Sequence, residues 1–315
     1  MSTPTSTRGF AWKPRPSGAG APEAGAATAG TPRPSETARV IRRFLRRRTA
    51  VGGLVIAVAI LIIGAAAPLF APYAPLDPVG EINGAPSRAH WLGTDRLGRD
   101  LLSRLIYGAR ISLIVGITSQ AISALLGTAL GMTAGYYGRT VDIALMRVVD
   151  VLMAFPFILV AILVVAAIGP STMNVILAIG LTSWTATARI IRAEVLRVRE
   201  LEFVHAAKAI GASGPRILGR HVLPNLMSLS VTLGTLGLGT AILAEASLSF
   251  LGLGIQPPTP SWGLELSYGQ ITVFSAPYQT VGPSIAIFLT VLSFNLLGDG
   301  LRDALDPRDA TLRTM

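Results

Sequence analysis

The chain has 315 residues, of which 51% are hydrophobic and 14% charged, whereas soluble domains usually carry about 25% charged residues. With a mean hydropathy of +0.56, this composition excludes an ordinary soluble domain and predicts an integral membrane protein. The absence of cysteine excludes disulfides and thiolate chemistry, and three histidines far apart in the sequence disfavour a multi-histidine metal site.

The net charge of +10 is concentrated at the N-terminus, where residues 1–48 hold ten Lys and Arg against two Glu. Such a cluster directly before an apolar span holds an N-terminus in the cytoplasm. Attraction to anionic membrane lipids is a second interpretation, and nucleic acid, which we do not expect as a partner, is a third. Residues 1–38 are rich in Ser, Thr, Pro, Gly and Ala, which predicts a disordered cytoplasmic tail.

Six apolar runs predict six transmembrane helices, because a backbone in lipid must satisfy its own hydrogen bonds and the runs lack the alternation of a β-barrel. The first run, about 50–70, lies in a segment 39–71 that is too long, and too far from the terminus, for a cleaved signal peptide. The other runs cover about 111–136, 151–168, 173–190, 226–250 and 281–297. We therefore expect an external segment 72–110, a transmembrane core 111–300 and a C-terminal tail 301–315.

Basic residues in the connections alternate as six spans require. The connections after spans two and four and the tail after span six contain Lys or Arg, whereas residues 169–172 and 251–280 contain none. This pattern predicts that both termini are cytoplasmic. The segment 72–110 breaks the pattern with five arginines, but four acidic residues balance most of them, and we interpret it as a folded external segment.

A polar, basic stretch at 200–224 interrupts the apolar runs. On a helical wheel Phe203, Ala207 and Ile210 share a narrow apolar face, which predicts a short amphipathic helix over 200–210. Gly211 permits the helix to end, and Pro224 marks the start of the next span. Docking into a groove of a partner protein is one interpretation of this helix, and lying flat on the membrane is the alternative.

The same stretch resembles the coupling-loop motif of binding-protein-dependent ABC importer permeases, which reads Glu-Ala-Ala, three residues, Gly, nine residues, Ile-x-Leu-Pro. The motif's Glu and Ile are replaced here by His205 and His221. The positions that match are Ala206, Ala207, Gly211, Leu223 and Pro224.

Three further stretches are similar to the C-type permease subunit of dipeptide, oligopeptide and nickel importers. They are LGTDRLGRDLLSRLIYGARISL at 92–113, ASLSFLGLGIQPPTPSWG at 246–263 and FNLLGDGLRDALDPR at 294–308. The resemblance implies an all-α membrane protein of the type I ABC importer permease class, with a cytoplasmic coupling helix between spans four and five. It also implies a multi-pass location in the bacterial cytoplasmic (inner) membrane.

The partners implied by the resemblance are a second homologous permease subunit, two ABC ATPase domains and an extracytoplasmic substrate-binding protein. The implied cargo is dipeptides or oligopeptides, with nickel, glutathione or another small solute as alternatives. The residues that the resemblance assigns to coupling with the ATPases are Phe203, His205, Ala206, Ala207, Lys208, Ile210 and Gly211.

The chain has no phosphate-binding loop of its own. Its only lysines, Lys13 and Lys208, are followed by Pro14 and Ala209 rather than by Ser or Thr. We therefore expect no enzymatic activity and no cofactor on this chain, with ATP and Mg²⁺ used by the partner ATPase subunits.

Residues 93–100 alternate glycine with opposite charges, which predicts a tight external turn tied by Asp95 or Asp100 to Arg96 or Arg99. A structural scaffold is one interpretation of this turn. Contact with a binding protein or with the second permease is the other, and the residues concerned are Gly93, Thr94, Asp95, Gly98, Arg99 and Asp100.

Three predictions concern single side chains near the ends of spans. Glu245, an acid at membrane depth, either lines the translocation path or makes structural hydrogen bonds. Asp299, Asp303 and Asp306 are expected to form a local ion-pair network with Arg302 and Arg308 that ends the last helix, and contact with the nucleotide-binding subunit is the alternative. Trp262 is interpreted as an anchor at the membrane interface.

Two other classes of membrane protein share single features with this sequence. Gly-Ala-Ser-Gly at 211–214 fits a Gly-x-Ser-Gly pattern, but no histidine lies within a predicted span to activate Ser213 as an intramembrane protease. An ion-coupled secondary carrier usually places several ionisable groups at mid-membrane, and here only Glu245 is a candidate.

Overall fold

The computed structural model describes residues 36–305, and this part of the chain is helical apart from its connections and two isolated β-bridges. Residues 1–35 and 306–315 lie outside the described range, and with them most of the predicted disordered tail and the end of the predicted C-terminal tail. The helices are α1 (Glu36–Arg46), α2 (Arg48–Ala65), α3 (Ala67–Phe70), α4 (Leu101–Tyr137), α5 (Arg139–Met153), α6 (Phe157–Ile168), α7 (Thr172–Val198), α8 (Glu202–Ala209), α9 (Gly214–Ile217), α10 (Leu223–Phe250), α11 (Trp262–Ile271) and α12 (Tyr278–Leu305), with a π-helical turn (Leu218–Val222) before α10.

Within residues 36–305, five helical stretches are long and apolar enough to cross a membrane, namely α2, α4, α7, α9 continued by α10, and α12. The predicted all-α membrane fold is therefore confirmed. A sixth candidate is α5 taken together with α6, two helices bent by 85° at a short break.

The predicted third span is not one continuous helix. α5 ends at Met153 and α6 begins at Phe157, directly after Pro156, which has no backbone N–H and restricts the residue before it. α6 has 12 residues and is about 18 Å long, well short of a hydrocarbon core of about 30 Å. A crossing at this point needs both helices.

The second span starts earlier than its apolar run. α4 begins at Leu101 because Asp100 caps it, accepting hydrogen bonds from the Ser103 N–H at 2.8 Å and the Ser103 hydroxyl at 2.7 Å. Arg104 and Arg110 interrupt the hydropathy of its first three turns and place the predicted start near residue 111. The helix therefore includes the last part of the predicted external segment.

α4 and α7 run parallel and pack along a glycine stripe. Gly127, Gly131 and Gly135, four residues apart, let the two backbones approach closely. A β-carbon at Gly131 would lie 2.5 Å from the Ala188 carbonyl oxygen, and one at Gly135 would lie 2.8 Å from Cβ of Val195. Residue numbers increase in the same direction along α4 and α7, so the two helices are parallel. The chain must therefore run back to the other end of the bundle between them, and α5 and α6 are the segment that does so.

The remaining long helices alternate in direction. Gly116 of α4 faces Ile242 of α10, whereas Gln120 faces Gly237, so these two helices are antiparallel. Contacts of the same kind make α12 antiparallel to α10 and to α2. Buried apolar residues of α4, α6, α7 and α10 form the main core. This arrangement places α1, α8 and the end of α12 at one end of the bundle, and residues 71–100 with α11 at the other.

Candidate functional site

The short helix α8 lies between α7 and α10 and is fixed by its inner face. Val204 is fully buried and Ala207 nearly so. Both belong to a cluster with Ile191 and Val195 of α7 and Leu226 of α10. The inner face of α8 therefore belongs to one apolar core that also includes residues of two transmembrane helices.

The outer face of α8 is not the one that the helical wheel predicted. Of the three residues expected to share the apolar face, only Ala207 is buried, whereas Phe203 is 40% exposed and Ile210 is 86% exposed. Val204 takes the inward position instead, and Ile210, whose N–H still donates to the Ala206 carbonyl at 3.2 Å, lies on the exposed side at the end of the helix. Two large apolar side chains are thus left exposed beside a buried face.

The other predicted coupling residues lie on or near this exposed side. His205, Ala206 and Lys208 are all exposed. His205 stands at the position where the motif of the resembling family has a glutamate. Its Nε2 lies 3.7 Å from a carboxylate oxygen of Glu200. His221, the second departure from that motif, has its ring 6.4 Å from the ring of Phe203.

Gly211 closes the C-terminal end of α8 in a left-handed conformation with φ +81°. The Gly211 N–H donates to the Lys208 carbonyl at 3.0 Å, and the Ala212 N–H donates to the Ala207 carbonyl at 3.0 Å. These two bonds form a Schellman motif, in which glycine is favoured because it lacks a β-carbon. A β-carbon at this position would meet no atom within 4 Å, so the requirement for glycine comes from the backbone and not from packing.

A polar groove opens at the same end of the bundle, between α7, α10 and α12. Its volume is about 670 Å³. Leucine side chains form part of the wall, and the polar residues that line it are Glu194, Arg197, Asn225, Ser228, Thr232 and Arg302. Nε of Arg197 donates to Oε1 of Glu194 at 3.0 Å, so these two side chains are paired, and Arg302 adds a second guanidinium to the wall.

At the opposite end of the bundle, the side chains of the 93–100 turn bind to one another and to neighbouring helices. Nε of Arg99 donates to the Asp95 carboxylate at 2.7 Å, which confirms one predicted ion pair. Asp100 instead caps α4 and lies 3.0 Å from Nδ1 of His90, and Arg96 stacks on the Tyr268 ring at 3.7 Å. All six residues predicted for this turn are buried, namely Gly93, Thr94, Asp95, Gly98, Arg99 and Asp100.

A buried ion pair between α4 and α11, which no pattern in the sequence indicates, connects the 93–100 turn to the bundle. Nε and Nη2 of Arg104 donate to Oε1 of Glu265 at 2.9 and 2.6 Å, and Nη1 donates to the Pro75 carbonyl at 2.9 Å. Asp95 lies 3.5 Å from the same guanidinium. Burial raises the pKa of the Glu265 carboxyl, and the hydrogen bonds and charge of Arg104 oppose that shift.

Glu245 lies inside the chain rather than at the membrane surface. It is fully buried in α10. The Ser249 hydroxyl donates to its Oε1 at 2.8 Å, and the buried Ser112 and Ser261 lie beside the same carboxylate. Its Oε2 has no hydrogen-bond partner among the described residues, and both the path-lining role and the structural role stay predictions.

Two other predicted interactions are wrong. Trp262 is buried, and its Nε1 donates to the Leu105 carbonyl at 3.0 Å, so it is part of the core and not an interface anchor. Of the network predicted at the end of α12, Asp306 and Arg308 lie outside the described residues. Asp303 pairs with Arg47, because α2 starts beside the end of α12 and brings a guanidinium to this carboxylate.

Comparison with known proteins gives consistent matches along the described chain. Residues 127–309 match the family described as the binding-protein-dependent transport system inner membrane component, and residues 35–86 match the N-terminal transmembrane domain of oligopeptide transport permease C. The dipeptide transport system permease protein DppC of Alkalihalophilus pseudofirmus is 44% identical over 269 residues, which is 85% of this chain and 88% of that protein.

The glutathione transport system permease protein GsiD of Pectobacterium atrosepticum is 46% identical over 269 residues, which is 85% of this chain and 89% of that protein. Among solved structures, a chain of the inward-facing MetNI methionine ABC transporter aligns with a TM-score of 0.48 and 18% identity. The alignment covers 65% of this chain and 98% of that chain.

Proposed function

Since this chain belongs to the family of binding-protein-dependent transport system inner membrane components, as its motifs predicted, we propose that it is a permease subunit of an ATP-driven importer of dipeptides or oligopeptides. A second homologous permease completes the translocation path, two ABC ATPase domains hydrolyse ATP, and an extracytoplasmic binding protein delivers the cargo. Relatives named for dipeptide and glutathione transport support a peptide cargo, because glutathione is itself a short peptide.

The observation that carries the coupling role is the division of α8 into a buried and an exposed side. Val204 and Ala207 attach the helix to the bundle, and Phe203 and Ile210 remain exposed. Exposed apolar residues grouped on a rigid element are typical of an interaction site. We infer that the ATPase subunit contacts this side, and that the helix passes the movement of that subunit to α7 and α10.

The polar groove beside α8 is proposed as the cytoplasmic part of the translocation path. A peptide carries an ammonium and a carboxylate, and the groove presents Arg302 together with the Glu194–Arg197 pair, whose members would exchange their mutual hydrogen bonds for bonds to the peptide. Carboxylates and guanidinium groups form charge-assisted hydrogen bonds with such ends. Polar side chains near membrane depth face a cavity or a partner rather than lipid, which supports the same assignment.

We further propose six crossings with both termini in the cytoplasm of a bacterial cell, in its cytoplasmic (inner) membrane. The parallel packing of α4 and α7 supports this count, because a return crossing must lie between them and α5 with α6 is the segment available. The Arg-rich connections at the α8 end support the orientation.

The coupling role is tested by placing a charge on the exposed side of α8. We expect Ile210→Glu to reduce co-purification of the ATPase subunits and ATP-dependent peptide uptake by about tenfold or more, as for an apolar anchor of an interface. Ile82→Glu, at an exposed isoleucine at the opposite end of the bundle, is the matched control and should leave ATPase co-purification unchanged.

Normal ATPase co-purification in the Ile210→Glu variant would contradict the assignment.

Uptake by the unmodified complex should stop when ATP is removed and continue when an uncoupler is added. The reverse result would favour the ion-coupled carrier.

A further inference from the structure

We propose that α1 is an interfacial helix that binds the headgroups of anionic phospholipids. This role is separate from transport and does not depend on it. Only Arg47 lies between α1 and α2, and its extended backbone, with φ −91° and ψ 104°, turns the chain from one helix into the other. Because α2 is a membrane-spanning candidate that starts at Arg48, α1 is held at the membrane surface by covalent continuity.

One side of α1 is packed against the end of α12, which fixes its rotation. The ring of Phe44 lies beside Gly300, where an added β-carbon would be 3.1 Å from the ring. Arg47, directly after the helix, pairs with Asp303. A helix fixed in this way cannot turn about its own axis, so the residues on its remaining sides are presented in a defined direction.

The remaining sides of α1 combine exposed apolar and basic residues. Ile41 and Leu45, one turn apart, are 54% and 59% exposed. Arg42 and Arg46 are also one turn apart and exposed, on the adjoining face. A helix with large apolar residues on one face and arginines beside it lies in the interface, with the apolar residues among the acyl chains and the cations at the headgroups.

Charge complementarity identifies the occupant as a lipid leaflet rather than a protein. The guanidinium group matches phosphate in a bidentate geometry, and anionic lipids attract basic segments next to a membrane span. Ile41 and Leu45 need an apolar environment within reach of the membrane surface, and the acyl boundary next to α2 provides it. We therefore assign this face of α1 to anionic phospholipids such as phosphatidylglycerol.

The absence of cysteine in the sequence allows a direct test on the full-length chain. Leu45→Cys carries a solvatochromic fluorophore, and the protein is reconstituted into vesicles of phosphatidylcholine alone or of phosphatidylcholine with one third phosphatidylglycerol. Brominated acyl chains quench a label that is inserted in the membrane. Ser213→Cys, at an exposed position of the loop between α8 and α9, is the control label.

We expect the label at position 45 to be blue-shifted and quenched in the anionic vesicles, and clearly less so in phosphatidylcholine. Adding Arg42→Gln and Arg46→Gln should lower the preference for anionic vesicles by about tenfold or more, since each arginine contributes separately. High salt should weaken the preference, whereas added inorganic phosphate at constant ionic strength should not. The control label should report water in both vesicles.

Arg43, Arg47 and Arg48 remain in the double variant, so the basic signal for membrane orientation is retained. Equal signals in the two kinds of vesicle would overturn the proposal. So would an unchanged lipid preference in the Arg42→Gln, Arg46→Gln variant, because the arginines would then have no part in binding. Competition by inorganic phosphate would assign the site to a free anion instead.

Discussion

Replacing Gly211 with alanine tests whether α8 must end in its left-handed turn. The glycine has φ +81°, and a β-carbon there would meet no atom within 4 Å, so the substitution introduces no clash. Its cost is the left-handed conformation itself, about 1–2 kcal/mol for alanine. Because 1.4 kcal/mol corresponds to a factor of ten, the native helix end should be populated about tenfold less.

We expect Gly211→Ala to lower ATP-dependent peptide uptake by up to about tenfold, with the complex still assembled. Gly211→Asn is the matched control, because asparagine enters the left-handed region more easily and should retain most of the uptake. Both variants are compared in proteoliposomes for uptake, ATP hydrolysis and subunit stoichiometry. Equal loss in the two variants would refute the reasoning, since side-chain bulk at the exposed surface would then matter instead of the backbone.

Two further predictions concern packing and charge in the bundle. Gly131→Val should destabilise the protein by about 1–3 kcal/mol through overpacking, seen as a lower melting temperature in detergent, whereas Gly234→Val, where a β-carbon meets nothing within 4 Å, should melt almost as the wild type does. Equal melting of these two variants would contradict the proposed role of the glycine stripe. Glu265→Ala should cost about 3–5 kcal/mol because Arg104 stays buried with only Asp95, which it shares with Arg99, as a carboxylate partner, and adding Arg104→Met should restore much of the loss. A double variant no more stable than the single one would exclude that explanation.

Hydropathy identified the spanning helices where the apolar run is uninterrupted and misplaced their ends where charges are buried. The start of α4 was hidden because Arg104 counts as polar in the sequence, although in the structure its charge is paired inside the protein. The break at Pro156 is visible in the sequence, but apolar residues on both sides outweighed it. The glycine spacing in α4 is visible too, yet nothing local identifies α7 as the helix that it faces.

The short helix predicted within 200–210 is present as α8, but the residues that it exposes differ from those expected of a shared apolar face. A wheel for 200–210 groups residues by angle alone and does not show which side the bundle covers, and in the structure Val204 and Ala207 are buried whereas Phe203 and Ile210 are exposed. The pairing of Arg104 with Glu265 joins residues 161 positions apart, so no local pattern could indicate it. Position 303 shows the same limit, because Asp303 was assigned to neighbours on its own helix and is paired with Arg47 from the other end of the chain.

The close contact between α4 and α7 has a mechanical consequence for the whole bundle. At Gly127, Gly131 and Gly135 the backbone of α4 lies directly against α7, so α4 contributes no side chain there that could change rotamer and absorb a displacement. We therefore expect α4 and α7 to move together as one rigid body. If the ATPase subunit displaces α8 as proposed, the N-terminal turns of α4 would transmit that displacement to residues 71–100 at the far end of the bundle. Both ends of the bundle would then move in the same step.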